Sequence, residues 1–390
     1  LPPAFSIGDS GNRPIIDRPF IGLFLGWGEV ASNYYYPILK DFLISERLSI
    51  IAVETPKKAA ANAGHFIAWE SAELEMLLRM GYLTHIFILT PPALHMEQLS
   101  YCLKRLEKVD HTLFIFVEKP TDFEPARVQD AMCLWSAMKN RSRIVVRQID
   151  HYAEKWSIRM MRDRMAEVVR ITGKLREIIF FSAEKRYIPS SPTFARGYAI
   201  EHGVHAWSIL SRLFPGIMTL QFKCDVEKGR PSAWRYEQAT PNCHGETAFL
   251  FRFITMRGSE TSNVLPTNLA ITIAAGKALG IDKKVLALIG EDGTVIADLS
   301  QDQLVFTTGE TKRDLFKDVP APRMPAYRAI LEGIFGDPPD PLDVTMPIET
   351  GLWSIERICS ANCVIESLGD YQAGTMPSDF VNLVSRLDRI

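Results

Sequence analysis

From residue 19 onward, short continuous apolar runs alternate with stretches whose apolar positions recur every three or four residues. The first pattern reads as buried strands, the second as amphipathic helices. "PFIGLFLGWGEVASNYYYPILKDFL" gives a strand, a glycine turn and a helix. "LSIIAVE" is a second strand, and "AELEMLLRMGY" a helix with its apolar positions on one face. "THIFILTPP" is a third strand, stopped by prolines, and "ALHMEQLSYCLKRLEK" is the next helix. "HTLFIFVEKP", "PARVQDAMCLWSAMKN" and "SRIVVRQID" follow as strand, helix and strand. Strict alternation predicts a parallel, doubly wound sheet over residues 19–149, with right-handed crossovers. The carboxyl ends of its strands line one edge, where ligands bind in such sheets. Residues 1–18 read as an arm ahead of it.

The pattern changes after residue 175. "REIIFFSAEKR", "MTLQFKCDV", "TAFLFRFITM", "NLAITIAAG" and "KVLALIGEDGTVIADLS" read as successive strands, and "EDGT" is a hairpin signal. Runs of strands with few helices between them predict a second, α+β domain over residues 150–390, built on a large open, mostly antiparallel sheet. Two helices close the chain, around 323–336 and 347–368, separated by the proline-rich "GDPPDPLDVTMP". An open sheet of this kind leaves one apolar face to be covered, which predicts a homodimer or homotetramer.

Length and composition are those of a soluble globular protein: 390 residues, 47% hydrophobic and 23% charged. A net charge of −2 lacks the basic excess of a nucleic-acid binder. No apolar run reaches the roughly 18 residues of a membrane span. The six cysteines include no CxxC pair, so reduced thiols in a cytoplasmic setting are expected, and Cys243–His244 alone makes no metal site.

The first βα turn, "GWGEVA", has Gly26, Gly28 and Ala31 in a G-x-G-x-x-A spacing, with Trp27 and Glu29 between them. The first glycine allows a tight turn and the second lets a pyrophosphate approach the backbone. The small third residue lets the helix pack, with its N-terminus toward the anion. Glu54 ends the second strand, where an acid accepts hydrogen bonds from a ribose diol. That favours NAD. Lys57 and Lys58 would instead suit the 2′-phosphate of NADP.

Three further stretches carry a resemblance. "HIFILTPPALHMEQL", with Thr90, Pro91, Pro92 and His95, "FVEKP", with Glu118, Lys119 and Pro120, and "EHGVHAW", with Glu201, His202 and His205, resemble motifs of the glucose–fructose oxidoreductase / inositol dehydrogenase (Gfo/Idh/MocA) family. The C-terminal "VTMPIETGLWSIERICSANC" is similar to that family's last helix. The resemblance implies a Rossmann domain followed by an open α/β domain, and NAD(P)-dependent oxidation or reduction of a sugar, cyclitol or related hydroxyl compound. It implies that Thr90, Pro91, Pro92, His95, Glu118 and Lys119 lie by the cofactor and that His205 is catalytic. Glu201 and Ser208 stand where the family usually has aspartates. "QIDHYAEKW" is also similar to the Asp-His-Tyr-x-x-Lys motif of glucose-6-phosphate dehydrogenases, with Gln148 in place of an arginine. This second resemblance implies that Asp150 orients the histidine and that His151, Tyr152 and Lys155 hold a substrate phosphate.

Oxidising an alcohol removes a hydride from carbon and a proton from oxygen. The protein must supply a base within hydrogen-bond reach and a cation beside the oxygen. His205 is the expected base and Lys119 the expected cation, with Asp150 or Glu201 orienting the histidine. His202 and Arg186 are further expected substrate contacts, and Arg186 and Arg196 read equally as phosphate ligands or as surface charges. The plainer alternatives are a packed histidine pair on a helix, a surface-turn lysine, and an Asp150 paired with Arg143 or Arg147. Trp207 and Trp353 read as core aromatics. The partner expected is a sugar or sugar phosphate. The alternatives are a free-sugar or cyclitol dehydrogenase, a non-catalytic NAD-binding sensor, and redox-neutral chemistry with retained NAD.

Overall fold

The structure is a computed structural model, which describes residues 20–53, 65–184, 198–224, 226–227, 230–231, 234–237, 246–256, 265–277, 282–308, 311–314, 326–368 and 378–389. In chain order the first elements are β1 (Phe20–Leu25), a π-helical turn (Ala31–Tyr35), α1 (Tyr36–Ile44), β2 (Leu48–Val53) and β3 (His65–Ile67). Then come α2 (Ala72–Met80), β4 (His85–Ile88), α3 (His95–Leu103), β5 (Leu113–Glu118), α4 (Pro125–Ala137) and β6 (Ile144–Ile149). The middle of the chain holds α5 (Trp156–Asp163), α6 (Met165–Thr172), β7 (Leu175–Glu184), α7 (Tyr198–Leu213) and β8 (Phe222–Cys224). The strands β9 (Val226–Glu227), β10 (Arg230–Pro231), β11 (Trp234–Glu237), β12 (Glu246–Thr255), β13 (Ala270–Lys277), β14 (Lys283–Gly290), β15 (Thr294–Asp298), β16 (Gln303–Thr308) and β17 (Thr311–Asp314) follow. The chain closes with α8 (Ala326–Phe335), β18 (Met346–Pro347), α9 (Ile348–Leu368) and α10 (Ser378–Arg389).

Two compact units result, divided between His151 and Tyr152 and again between Leu352 and Trp353. In the first, β3-β2-β1-β4-β5-β6 are parallel neighbours, with β18 antiparallel on the β6 edge. Strand order turns back between β1 and β4, the switch point at which such sheets bind ligands. The strands are apolar on both faces, as a sheet covered on both sides requires. Phe24 stacks on Phe87 at 4.5 Å between ring centres, and α1 and α8 close over them with Leu39, Phe42, Ile330, Leu331 and Phe335. This packing draws residues 326–352 into the first unit, although sequence position alone puts them in the second domain. β3 and β18, three and two residues of ladder, are too short to show in the hydropathy pattern.

The second unit carries the mostly antiparallel sheet, ordered β11-β12-β13-β7-β14-β15-β16-β17 with β8 on β12. Its one parallel pair among the described strands is β13 with β7. The hairpin at Glu291–Gly293 joins β14 to β15. Period-two alternation on β7 separates Ile178 and Phe180 from Ile179, Phe181 and Ala183, yet all are buried. The second set packs on α10, which places Phe380, Leu383, Val384 and Leu387 at i, i+3, i+4 and i+7. Charged links hold the helix in place: Lys283 Nζ to Asp388 Oδ1 at 2.9 Å and Arg386 to Glu177 at 2.7 Å. The expectation of two closing helices is therefore corrected to three. The chain's own α10 covers part of the apolar face of this sheet, over β7, β12, β13 and β14. No helix among the described residues is long and apolar enough to cross a membrane.

Removing the Phe380 ring leaves a cavity against the sheet. Phe380→Ala is expected to cost about 3–5 kcal/mol, read as a lower urea midpoint, with concentration-dependent association appearing in sedimentation velocity.

Candidate active site

The first βα turn is built around Gly26, whose φ is +87°. Its N–H donates to the Val53 carbonyl at 3.0 Å. A Cβ there would fall 2.6 Å from the Thr90 methyl and 2.9 Å from the Thr90 nitrogen. Only glycine tolerates both the dihedral and the approach. The turns after β1 and β4 therefore touch at the switch point. A Cβ on Gly28 would meet nothing within 4 Å. The Gly28 carbonyl accepts the first helical hydrogen bond, from the Ser32 N–H at 2.9 Å, and Ala31 is fully buried where the helix meets the sheet. An open glycine at a helix N-terminus, after a tight left-handed turn, fits a dinucleotide pyrophosphate. Glu29 is exposed at the same end of the helix. The Trp27 ring is buried edge-on against Phe24 and Tyr36, which leaves its backbone as the part that faces the turn. Glu54 lies outside the described residues.

Thr90, Pro91 and Pro92 form the turn after β4, and Thr90 Oγ1 donates to Gln98 Oε1 at 2.7 Å. His95 braces the turn that the resemblance sets by the cofactor. It is fully buried, with Nδ1 2.9 Å from the Pro120 carbonyl and Nε2 2.6 Å from the Thr90 carbonyl. It clamps the turn after β4 to the turn after β5. Burial pushes its pKa down to about 4, against the pull of the Thr90, Pro120 and Thr121 carbonyls.

Glu118 ends β5 and pairs in register with Ile149 at the end of β6, and the Lys119 N–H donates to the Ile149 carbonyl at 3.2 Å. This ladder sets Lys119 and Asp150 side by side just past the strand ends. Asp150 is 1% exposed and Glu118 6%. Burial pushes the Glu118 carboxyl up to about 7. The Lys119 ammonium and a hydrogen bond from Tyr35 oppose this rise, and the Asp150 charge adds to it. The Tyr35 hydroxyl donates to Glu118 Oε2 at 3.0 Å. His151 is half-buried, with Nδ1 3.2 Å from Tyr327 Oη and its ring stacked on that tyrosine at 4.8 Å.

In the second unit Tyr152 is buried and packs on the His205 ring at 4.2 Å. His202 and His205 are both buried, 6.2 Å apart between ring centres. Glu201 Oε2 is buried on the same helix and meets no hydrogen-bond partner among the described residues. Lys155 Nζ lies 5.7 Å from the Tyr152 ring centre and Lys284 Nζ 5.6 Å. Lys284 also pairs with Glu184 at 2.8 Å. Burial works against the Lys284 ammonium, but Tyr152 and Glu184 outweigh it and raise its pKa. Burial lowers the pKa of Lys155, and the Lys284 charge lowers it further, while Asp302 and Asp298 oppose. Trp207 and Trp353 meet edge to face at 4.9 Å in the core. Arg186 and Arg196 lie outside the described residues.

The residues of "DHYAEK" thus do not act as one block: Asp150 and His151 belong to the first unit, Tyr152 and Lys155 to the second. Sequence reasoning missed Tyr35, Tyr327 and Lys284. Lys284 gives no signal of its own, since a lysine pair opening a strand reads as a solvated end. No cluster of three metal-type ligands occurs among the described residues.

The fold is that of Gfo/Idh/MocA-type oxidoreductases of known structure. The WlbA dehydrogenase from Bordetella pertussis, solved with NADH and UDP-GlcNAcA, is 13% identical over 91% of this chain and 97% of its own, with a TM-score of 0.65. UDP-N-acetylglucosamine 3-dehydrogenase GnnA from Acidithiobacillus ferrooxidans is 12% identical over 90% and 98%, with a TM-score of 0.62. Biliverdin reductase from Synechocystis, solved with biliverdin and NADP+, is 15% identical over 88% and 98%, with a TM-score of 0.63. No family model and no curated protein matches the sequence.

The folded state keeps the Glu118 proton at pH values where the unfolded chain has released it. Stability therefore falls as pH rises from about 4.5 to about 7. Glu118→Gln is expected to lose less stability than wild type between pH 5 and pH 8, measured by urea unfolding at both.

Proposed function

We propose that the protein is a nicotinamide-dependent oxidoreductase that moves a hydride between the cofactor and a hydroxyl or keto carbon of a sugar or sugar derivative. The observation that carries this reading is the placement of Lys119, with Glu118 and Asp150, at the strand ends beside the Gly26–Thr90 switch point. Residues 26–31 and the turn after β4 would hold the dinucleotide, preferentially NAD. When bound, the nicotinamide supplies the hydride acceptor. The chain's own groups do the rest. Lys119 stabilises the alkoxide that develops as the alcohol is oxidised. His205 takes the hydroxyl proton, with its ring held by Tyr152, and Asp150 or Glu201 favours the charged imidazolium. In reduction the same groups return the proton.

Lys155 and Tyr152 are the proposed contacts to an anionic part of the substrate. A phosphate attached to the sugar is one candidate. The engagement of His151 by Tyr327 favours a second reading, in which the substrate is a free or nucleotide-linked sugar and His151 holds no phosphate. The sugar-nucleotide names of two structural neighbours support that class.

Hexoses, hexose 6-phosphates, inositols and UDP-sugars, each followed at the nicotinamide absorbance, separate these readings. Lys119→Ala and His205→Asn are each expected to lower kcat/KM by about 10²–10⁴-fold, with NADH affinity retained. Full activity in Lys119→Ala, or no turnover across the panel, would overturn the proposal.

A further inference from the structure

The helix that follows the glycine turn is not a plain α-helix. Ala31–Tyr35 form a π-helical turn before α1 begins, and such turns often mark functional sites. Three tyrosines in a row leave it in different directions. Tyr34 is 48% exposed and stacks on Tyr327, and Tyr36 meets Trp27 edge-on. Tyr35 alone points inward, fully buried beside Phe87 and Tyr327, and donates its hydroxyl to Glu118. The groups facing Glu118 are Tyr35 from the π turn, the Lys119 ammonium and backbone N–H from its own strand end, and Asp150 from the end of β6. Tyr327 of α8 stands behind Tyr35. Burial, with the Glu118 charge second, holds the Tyr35 phenol well above its ordinary pKa, so it remains a donor.

We propose that Tyr35 is a positioning residue for hydride transfer, acting through Glu118: its hydroxyl fixes that carboxyl beside Lys119 and so sets the charge that the lysine ammonium meets. This rests on the oxidoreductase reading above. It links the helix that would bind pyrophosphate to the strand end that carries the cation, across 83 residues of chain. Glu118 deprotonated neutralises Lys119, and Glu118 protonated leaves the ammonium's full charge for a developing alkoxide. The phenol decides where that exchange falls, because a donor to the carboxylate favours its ionised form.

Tyr35→Phe keeps the ring and removes the donor. In the full-length protein labelled with ¹³C-carboxyl glutamate, the Glu118 signal is identified by its loss in Glu118→Gln. Its titration midpoint is expected to rise by about one pH unit in Tyr35→Phe. The matching limb in the pH dependence of kcat is expected to move by the same amount and to disappear in Glu118→Gln, with the KM for NAD within about twofold and kcat at neutral pH changed by up to about tenfold. Agreement of the two shifts supports the proposal. An unshifted Glu118 titration overturns it, even in an active enzyme and whatever happens to Tm. A shifted titration with an unchanged rate profile overturns the positioning role. A protein that shows the titration shift but reduces no nicotinamide overturns the functional reading and leaves the Tyr35–Glu118 coupling standing.

Discussion

The candidate site depends on the closeness of two turns. Gly26 sits at φ +87° with its Cα against Thr90, and no side chain fits in the space between. That contact sets the starting direction of the helix after β1 and brings the turns after β1 and β4 together at the point where strand order reverses. His95 extends the arrangement by one strand, tying Thr90 to Pro120. Lys119 is then placed by the parallel register of β5 and β6. A chain of contacts, all within the first unit, thus runs from the glycine turn through the His95 ring to the proposed cation. The buried His95 ring and Glu118 carboxyl are held by specific partners, as a low-dielectric interior favours.

The second unit meets a different constraint. A large sheet with apolar residues on both faces must be covered twice. Helix α7 lies on β12 and β13. The opposite face is met by α10, whose Phe380, Leu383 and Leu387 fill the space over Phe181, Ala274 and Val285. The central part of that face is thus covered within the chain.

Much of this was legible in the sequence. Every strand from β1 to β6 except β3 shows as an apolar run, because strands buried on both faces need no alternation. The glycine spacing located the turn at the switch point. What stayed hidden has identifiable physical causes. Two-residue β18 has no pattern to read. Helix α10 does carry an i, i+3, i+4, i+7 pattern, but it lies beyond the last segment read as structure, and what it covers depends on residues far away in the chain. Trp27 sits inside the glycine fingerprint, and nothing local tells a core indole from a ligand contact. Tyr35 and Glu118, like Tyr152 and Lys284, are meetings of residues distant in the chain, and a single sequence carries no record of such pairs.

The most direct test of the account is a fluorescence titration of the full-length protein with NADH, set beside Gly26→Val. The account predicts saturable binding by the wild-type protein, seen as energy transfer from tryptophan to the nicotinamide, and loss of that binding in a variant whose circular dichroism remains that of a folded protein. Failure of the folded wild-type protein to bind NADH or NADPH saturably, or full binding by Gly26→Val, would contradict it.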